Sequence, residues 1–156
     1  MSKVIIFPTD TVYGIGTPIF DLDGIDKIYQ IKNRSKDKPL ACLCASLSQI
    51  EEISYVDIYA RALISHFLPG GLTVILKSKE NVYNTIGYET IGIRIPNHEL
   101  ALKILEKVNK PLLVTSANVS GCSDLIKYED VYNVFNGKIA SLITQDAKDG
   151  KASTVV

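Results

Sequence analysis

The 156-residue sequence has no tryptophan, one methionine, three cysteines, two histidines and only three arginines, Arg34, Arg61 and Arg94. A small, odd number of cysteines fits a reducing compartment better than a disulfide framework. The two histidines, His66 and His98, sit on different segments, so Cys42 and Cys44 have no obvious companions for a four-ligand metal cage. Their alternation in Leu40-Ala-Cys-Leu-Cys-Ala45 puts both on one side of a strand, as core thiols. Net charge is also missing: seventeen Lys plus Arg balance seventeen Asp plus Glu. That argues against a protein held on nucleic acid by a global basic field, and leaves room for a small basic pocket. No apolar run approaches the roughly 18 residues of a membrane span. Met1-Ser2-Lys3 and the short run at 4–7 fall short of a signal peptide. There is no GxxxxGK[ST] loop, GxGxxG or HExxH, and no motif ties a histidine to a nucleophile such as Ser116. A soluble, cytoplasmic protein without a membrane partner is the expectation.

With 46% hydrophobic and 22% charged residues, the chain has the composition of a globular protein. Its length suits one domain, 1–156, with a core that needs no staple. Short apolar runs alternate with helical periodicity, which predicts α/β organisation. Strands are expected at 4–7, 40–44, 72–77, 91–95, 112–115, 139–144 and 153–156. Asp21 or Asp23 can cap a helix running to about Lys32, with Ile25, Ile28, Tyr29 and Lys32 on helical spacing. Ser46 and Gln49 have capping-box spacing for a helix ending near Ile53, and Asp57 can cap one ending near Leu68. Further helices are expected at 99–108 and 128–135, and a polar connection between the strands at 72–77 and 91–95.

Small polar residues and glycine gather where strands end. In Pro8-Thr-Asp-Thr-Val-Tyr-Gly14, followed by Gly16, Thr9 and Thr11 alternate and can face one way toward a ligand. A turn capped by Asp10 is the simpler reading of that cluster. Lys32-Asn-Arg-Ser-Lys-Asp-Lys-Pro39 is the most basic stretch, either a solvated loop or an anion site. Arginine is scarce here, so Arg34 and Arg94 carry more information than any lysine, because planar bidentate recognition of phosphate or carboxylate needs the guanidinium. Arg61 lies on a helix face and reads as structural. Arg94 interrupts an apolar strand, Gly92-Ile-Arg-Ile-Pro96, and a charge there requires a partner, either an internal carboxylate or a ligand's. His98 reads as a loop or helix-capping residue. Thr115-Ser-Ala-Asn-Val-Ser-Gly121 places hydroxyl and amide groups just past a strand's carboxyl end, the usual place for α/β ligand sites.

Together these segments resemble the YrdC-like family of threonylcarbamoyl-AMP synthases. The matching pieces are Pro8–Gly14, Lys32-Asn-Arg34 with Lys38-Pro39-Leu40, Pro69-Gly-Gly-Leu-Thr-Val-Ile-Leu76, Gly92–Pro96 with His98, Thr115–Gly121, and Ser153-Thr-Val-Val156. They follow the family's order along nearly the whole chain. The resemblance implies a single α/β domain with a twisted mixed sheet, flanking helices and a concave electropositive cavity. It implies condensation of L-threonine, bicarbonate and ATP into threonylcarbamoyl-AMP and pyrophosphate, feeding t6A modification of tRNA. By position, Thr11, Arg94, Ser116 and Ser153 correspond to the threonine-binding set. Lys32, Arg34 and Lys38 correspond to the cations on the phosphates, and Arg34, Lys38, Thr90, Ser116 and Asn118 to nucleotide contacts. Mg²⁺ would bridge the phosphates, with no protein metal ligands identifiable. The implied partners are a weak tRNA or RNA contact and a downstream threonylcarbamoyl-transferase complex. Family members continue past the Ser-Thr-Val-Val segment into a strand ending near an Arg-x-Gly that helps to hold ATP, whereas this sequence stops at Val156, and Lys148 or Lys151 is the expected substitute. The alternatives are an RNA-binding module and a catalytically weakened threonine- or nucleotide-binding relative.

Overall fold

Residue patterns and capping groups set out above account for most of the elements in the computed structural model, which describes residues 4–117, 141–142 and 153–156. In chain order they are β1 (Ile5–Phe7), β2 (Gly14–Pro18), α1 (Leu22–Lys32), β3 (Ala41–Leu43), α2 (Leu47–Ile53), β4 (Ser54–Tyr55), α3 (Ile58–Phe67), β5 (Leu72–Ser78), α4 (Glu80–Ile86), β6 (Thr90–Arg94), α5 (Glu99–Val108), β7 (Leu112–Ser116), β8 (Ser141–Leu142) and β9 (Thr154–Val155). Four helices begin on a side chain that accepts an otherwise unpaired backbone N–H: Asp21 from Gly24, Ser46 from Gln49, Asp57 from Ala60 and His98 from Ala101. Gln49 also accepts from the Ala45 N–H at 2.8 Å, so the Ser46–Gln49 spacing works in both directions, one residue offset from a standard capping box. His98 is therefore a capping residue.

Among the described residues the strands form one mixed sheet in the order β4-β5-β6-β3-β7-β2-β1-β8, with β9 added to β5. Three pairs, β3 with β6, β1 with β8 and β5 with β9, are parallel, and the others are antiparallel. Alternate residues of each strand face opposite sides. One side buries Ile6, Ile15, Cys42, Leu113, Ile93 and Val74 against helices α1 to α4 through Ile28, Ile50, Ile64 and Val82. The other side packs Phe7, Leu43, Leu112 and Val114 against Ala101 and Leu105 of α5. Cys42 and Cys44 are both buried and unbridged. Burial, and then the neighbouring Cys44 thiol, push the Cys42 thiol well above its ordinary range, so it stays protonated and inert.

Three elements differ from expectation. Gly14 and Gly16, which read as turn residues, lie inside β2, paired on both sides with β1 and β7. A Cβ at Gly14 would come within 2.8 Å of Val114 Cγ1, so glycine here serves a close approach rather than a turn. The polar connection between β5 and β6 contains α4, which closes on Gly87 at φ 78° and buries Val82. The short β4 was also not anticipated. The helix expected at 128–135 lies outside the described residues. Among those described, no helix is long and apolar enough to cross a membrane.

Candidate functional site

On the α5 side, the helix covers only part of the sheet. Beyond it, the ends of β6 and β7, the loop after β1, and residues 73 and 153 surround a cavity of about 170 Å³. Its polar lining is Thr9, Thr11, Thr73, Arg94, Thr115, Ser116 and Ser153; Gly14, Ala41, Leu43 and Val114 belong to its apolar floor. A second cavity of about 230 Å³ lies between α1 and α4 and is lined by Leu40 and Leu113, which face the opposite side of the sheet from Ala41, Leu43 and Val114. That larger space also carries polar groups, but its Asp26 and Lys36 pair with each other and its Tyr29 and Tyr88 hydroxyls are spent on loop carbonyls, whereas the first gathers a buried guanidinium and several hydroxyls, so the first is the candidate site.

Arg94 dominates it. The residue is 6% exposed, and its charge is met by Asp10, whose Oδ1 accepts from Nη1 at 2.5 Å. Nη1 also donates to the Gly70 carbonyl at 3.3 Å, and Nη2 donates to Thr11 Oγ1 at 3.2 Å. The open question of Arg94's partner is thus answered by an internal carboxylate, while the guanidinium still lines the cavity. With five N–H donors, it retains capacity for a ligand acceptor after these three bonds. Thr9 and Thr11 do face one way, their hydroxyl oxygens 3.0 Å apart. Across the cavity, Ser153 Oγ lies 2.7 Å from Thr73 Oγ1. Parallel pairing of β9 with β5 brings Ser153 there. A Cβ on Gly92 would come within 3.1 Å of Thr73 Cγ2, so the glycine in Gly-Ile-Arg-Ile-Pro makes room for that pair.

Lys32 reaches the site differently from the rest of the basic stretch. It is 1% exposed, on the same helical stripe as Ile28 and Tyr29, and its Nζ donates to the Ser116 carbonyl at 2.5 Å. A fully buried ammonium is tolerated only where such acceptors meet it. Arg34 instead folds over its own loop, donating from Nε to Lys38 O at 3.2 Å and from Nη2 to Pro39 O at 2.9 Å. Tyr29 and Tyr88 hydroxyls donate to Lys38 O and Lys36 O, so the loop backbone is pinned from the α1 and α4 side. Lys36 pairs with Asp26, and Arg61 with Glu51 as a surface pair.

Of the positions singled out in the sequence, Thr11, Arg94, Ser116 and Ser153 line one cavity, and Lys32 touches it through the Ser116 backbone. Arg34, Lys38 and Thr90 are not among its lining residues. Asn118, Lys148 and Lys151 lie outside the described residues. Asp10 and Thr73 were missed as site residues. Asp10 is 84 positions from Arg94 and Thr73 is 80 from Ser153, separations that no local pattern reveals.

The chain is 38% identical over 146 residues to threonylcarbamoyl-AMP synthase of Bacillus subtilis, covering 91% of this chain and 42% of that protein. It is 36% identical over 159 residues to threonylcarbamoyl-AMP synthase of Pyrococcus abyssi, covering 99% of this chain and 47% of that one. It therefore spans about half the length of these curated relatives. The crystal structure of P. abyssi Sua5 complexed with L-threonine superposes with a TM-score of 0.91 at 36% identity, over 98% of this chain and 46% of that one. The family model Sua5_yciO_yrdC, described as "Telomere recombination", matches residues 1–156. The chain belongs to the Sua5/YciO/YrdC family.

Proposed function

We propose that this chain is a threonylcarbamoyl-AMP synthase, joining L-threonine, bicarbonate and ATP into threonylcarbamoyl-AMP and pyrophosphate in the cytoplasm. One observation carries the reading: Thr11, Arg94, Ser116 and Ser153 line a single cavity in a fold shared with an L-threonine-bound relative. The cavity presents one guanidinium and several hydroxyls, the donor set for an amino acid's carboxylate and polar groups. It is a poor cage for a resident divalent ion, which prefers carboxylates and carbonyls. Among the described residues, no three His, Cys, Asp or Glu converge on a metal site. Mg²⁺ would enter on the ATP phosphates, as part of the substrate, and neutralise their charge.

In the proposed reaction, Arg94 holds the threonine carboxylate and Thr11, Ser116 and Ser153 orient the remaining polar groups. The amine lone pair adds to CO₂ derived from bicarbonate, losing a proton to give the carbamate. A carbamate oxygen then attacks the α-phosphorus, and the bond to pyrophosphate breaks. Lys32, Arg34 and Lys38 balance charge on the phosphates and the leaving group, while Thr90, Ser116 and Asn118 contact the nucleotide. Such a transfer relies on positioning and electrostatics, so no covalent nucleophile is needed. The labile product passes to a threonylcarbamoyl-transferase complex for t6A modification of tRNA, with only weak contact between this chain and the RNA. The test is pyrophosphate release by the full chain with ATP, Mg²⁺ and bicarbonate, with and without L-threonine. Release that depends on threonine is expected; absent or threonine-independent release overturns the reading.

A further inference from the structure

We infer that Thr9, a buried residue behind the substrate-facing hydroxyl, fixes the direction of a hydrogen-bond chain and so makes Thr11 an acceptor toward the bound amino acid. The directions follow from which groups can donate. Thr9 Oγ1 lies 2.7 Å from the Val12 carbonyl, which only accepts, so the single Thr9 hydroxyl proton is spent there. Thr9 Oγ1 also accepts the Thr11 backbone N–H at 3.1 Å. In the 3.0 Å contact between the two hydroxyls, the proton is therefore supplied by Thr11. Arg94 Nη2 donates to Thr11 Oγ1 at 3.2 Å, and a guanidinium cannot accept. Thr11 thus has its proton directed to Thr9 and one lone pair directed to Arg94, leaving one lone pair for the cavity it lines.

This deepens the synthase reading and rests on it for the identity of the ligand. Arg94 offers only donors and suits a carboxylate. Thr11, beside it, offers only an acceptor and suits an O–H or N–H of the same amino acid, either its hydroxyl or its amine. Thr9 is a positioning residue: it lines the same cavity, but its proton goes to Val12 O and both its lone pairs are taken by the Thr11 N–H and hydroxyl, so its hydroxyl acts on the ligand through Thr11. Replacing it with the near-isosteric valine removes the acceptor for the Thr11 proton, which is then free to turn into the cavity and oppose the substrate's donor.

Calorimetric binding to the full chain tests this without relying on turnover. Thr9→Val is expected to weaken L-threonine binding about tenfold, the scale of one ligand hydrogen bond lost, and to leave ATP binding unchanged. Thr9→Ser, which keeps the hydroxyl, restores threonine binding. L-2-aminobutyrate, which lacks the hydroxyl, identifies the donor: if valine penalises only threonine, the hydroxyl donates to Thr11, and if it penalises both ligands alike, the amine does. Unchanged threonine affinity in Thr9→Val, or failure of serine to rescue, overturns the inference. Neutron diffraction of the unliganded protein reads the proton directly. A Thr11 proton directed to Thr9 is expected, and one directed into the cavity overturns the inference. A chain that binds threonine in this way yet releases no pyrophosphate sinks the synthase reading alone.

Discussion

Ile93 and Arg94 are consecutive in β6 and belong to different worlds. Ile93 faces the side of the sheet that four helices cover, is fully buried, and is surrounded by other apolar side chains. Arg94 faces the side that α5 covers only in part, and is buried by polar groups that hold its charge. One residue's step thus separates a surface built for packing density from one built for hydrogen-bond direction. The covered side supplies rigidity, and the half-covered side can hold small polar side chains, glycines and a cavity because it need not fill every volume.

Arg94→Ala is the largest test of that division. Removing one partner of a buried pair leaves the Asp10 carboxylate uncompensated, costing about 3–5 kcal/mol of stability. L-threonine affinity should fall on the order of 100-fold, a loss of about 2.7 kcal/mol. Adding Asp10→Ala should return part of the stability, read by urea unfolding, and none of the affinity, read by calorimetry; recovery of both would merge the two roles. Ile93→Ala is the converse. It should cost about 2–5 kcal/mol in the same unfolding experiment, while the folded fraction keeps wild-type threonine affinity. A loss of affinity as large as that of Arg94→Ala would mean that the two faces are not separable.

The smallest expected effect is at Tyr29, where the covered side reaches round to the basic loop. Tyr29→Phe loses one hydrogen bond to Lys38 O, about 1 kcal/mol. Burial first, and then neighbouring Tyr88, raise the Tyr29 phenol above its ordinary value of about 10, with Arg34 opposing them. A raised folded value means that Tyr29's contribution is complete below about pH 10 and is lost as pH climbs through the folded value. Unfolding midpoints measured across that range should fall less steeply in Tyr29→Phe than in the wild type; identical slopes would remove Tyr29 as the cause.

Much of the covered side was legible because burial imposes a period. Runs such as Ile5–Phe7 and the stripe Ile25, Ile28, Tyr29 announce themselves by apolar spacing. Lys32 continued that stripe, so its burial was signalled by position even though its charge pointed toward the solvated loop that follows. β2 was not legible, since Gly-Ile-Gly-Thr-Pro has little strand propensity of its own; pairing on both edges and the fit of Val114 against glycine impose the strand. α4, rich in Asn and Thr and without a side-chain cap, buries only Val82 fully, which is too weak a stripe to read. At the site, an arginine inside an apolar strand was conspicuous, whereas its carboxylate partner was not, because ion pairs across a sheet leave no mark in local spacing.

The edge strand β9 gives the cavity a property that its static lining does not convey. It joins β5 through Thr154 N–H to Gly71 O, Val156 N–H to Thr73 O and Ile75 N–H to Val156 O, while Val155 and Val156 remain more than half exposed. Segments with few buried apolar contacts open at lower free energy than the core does. Detachment of β9 would withdraw Ser153 from Thr73 and leave both cores intact. Binding against Ser153 and docking of this strand are thus linked equilibria: a ligand that uses Ser153 tightens the edge of the sheet by as much as a docked edge tightens the ligand.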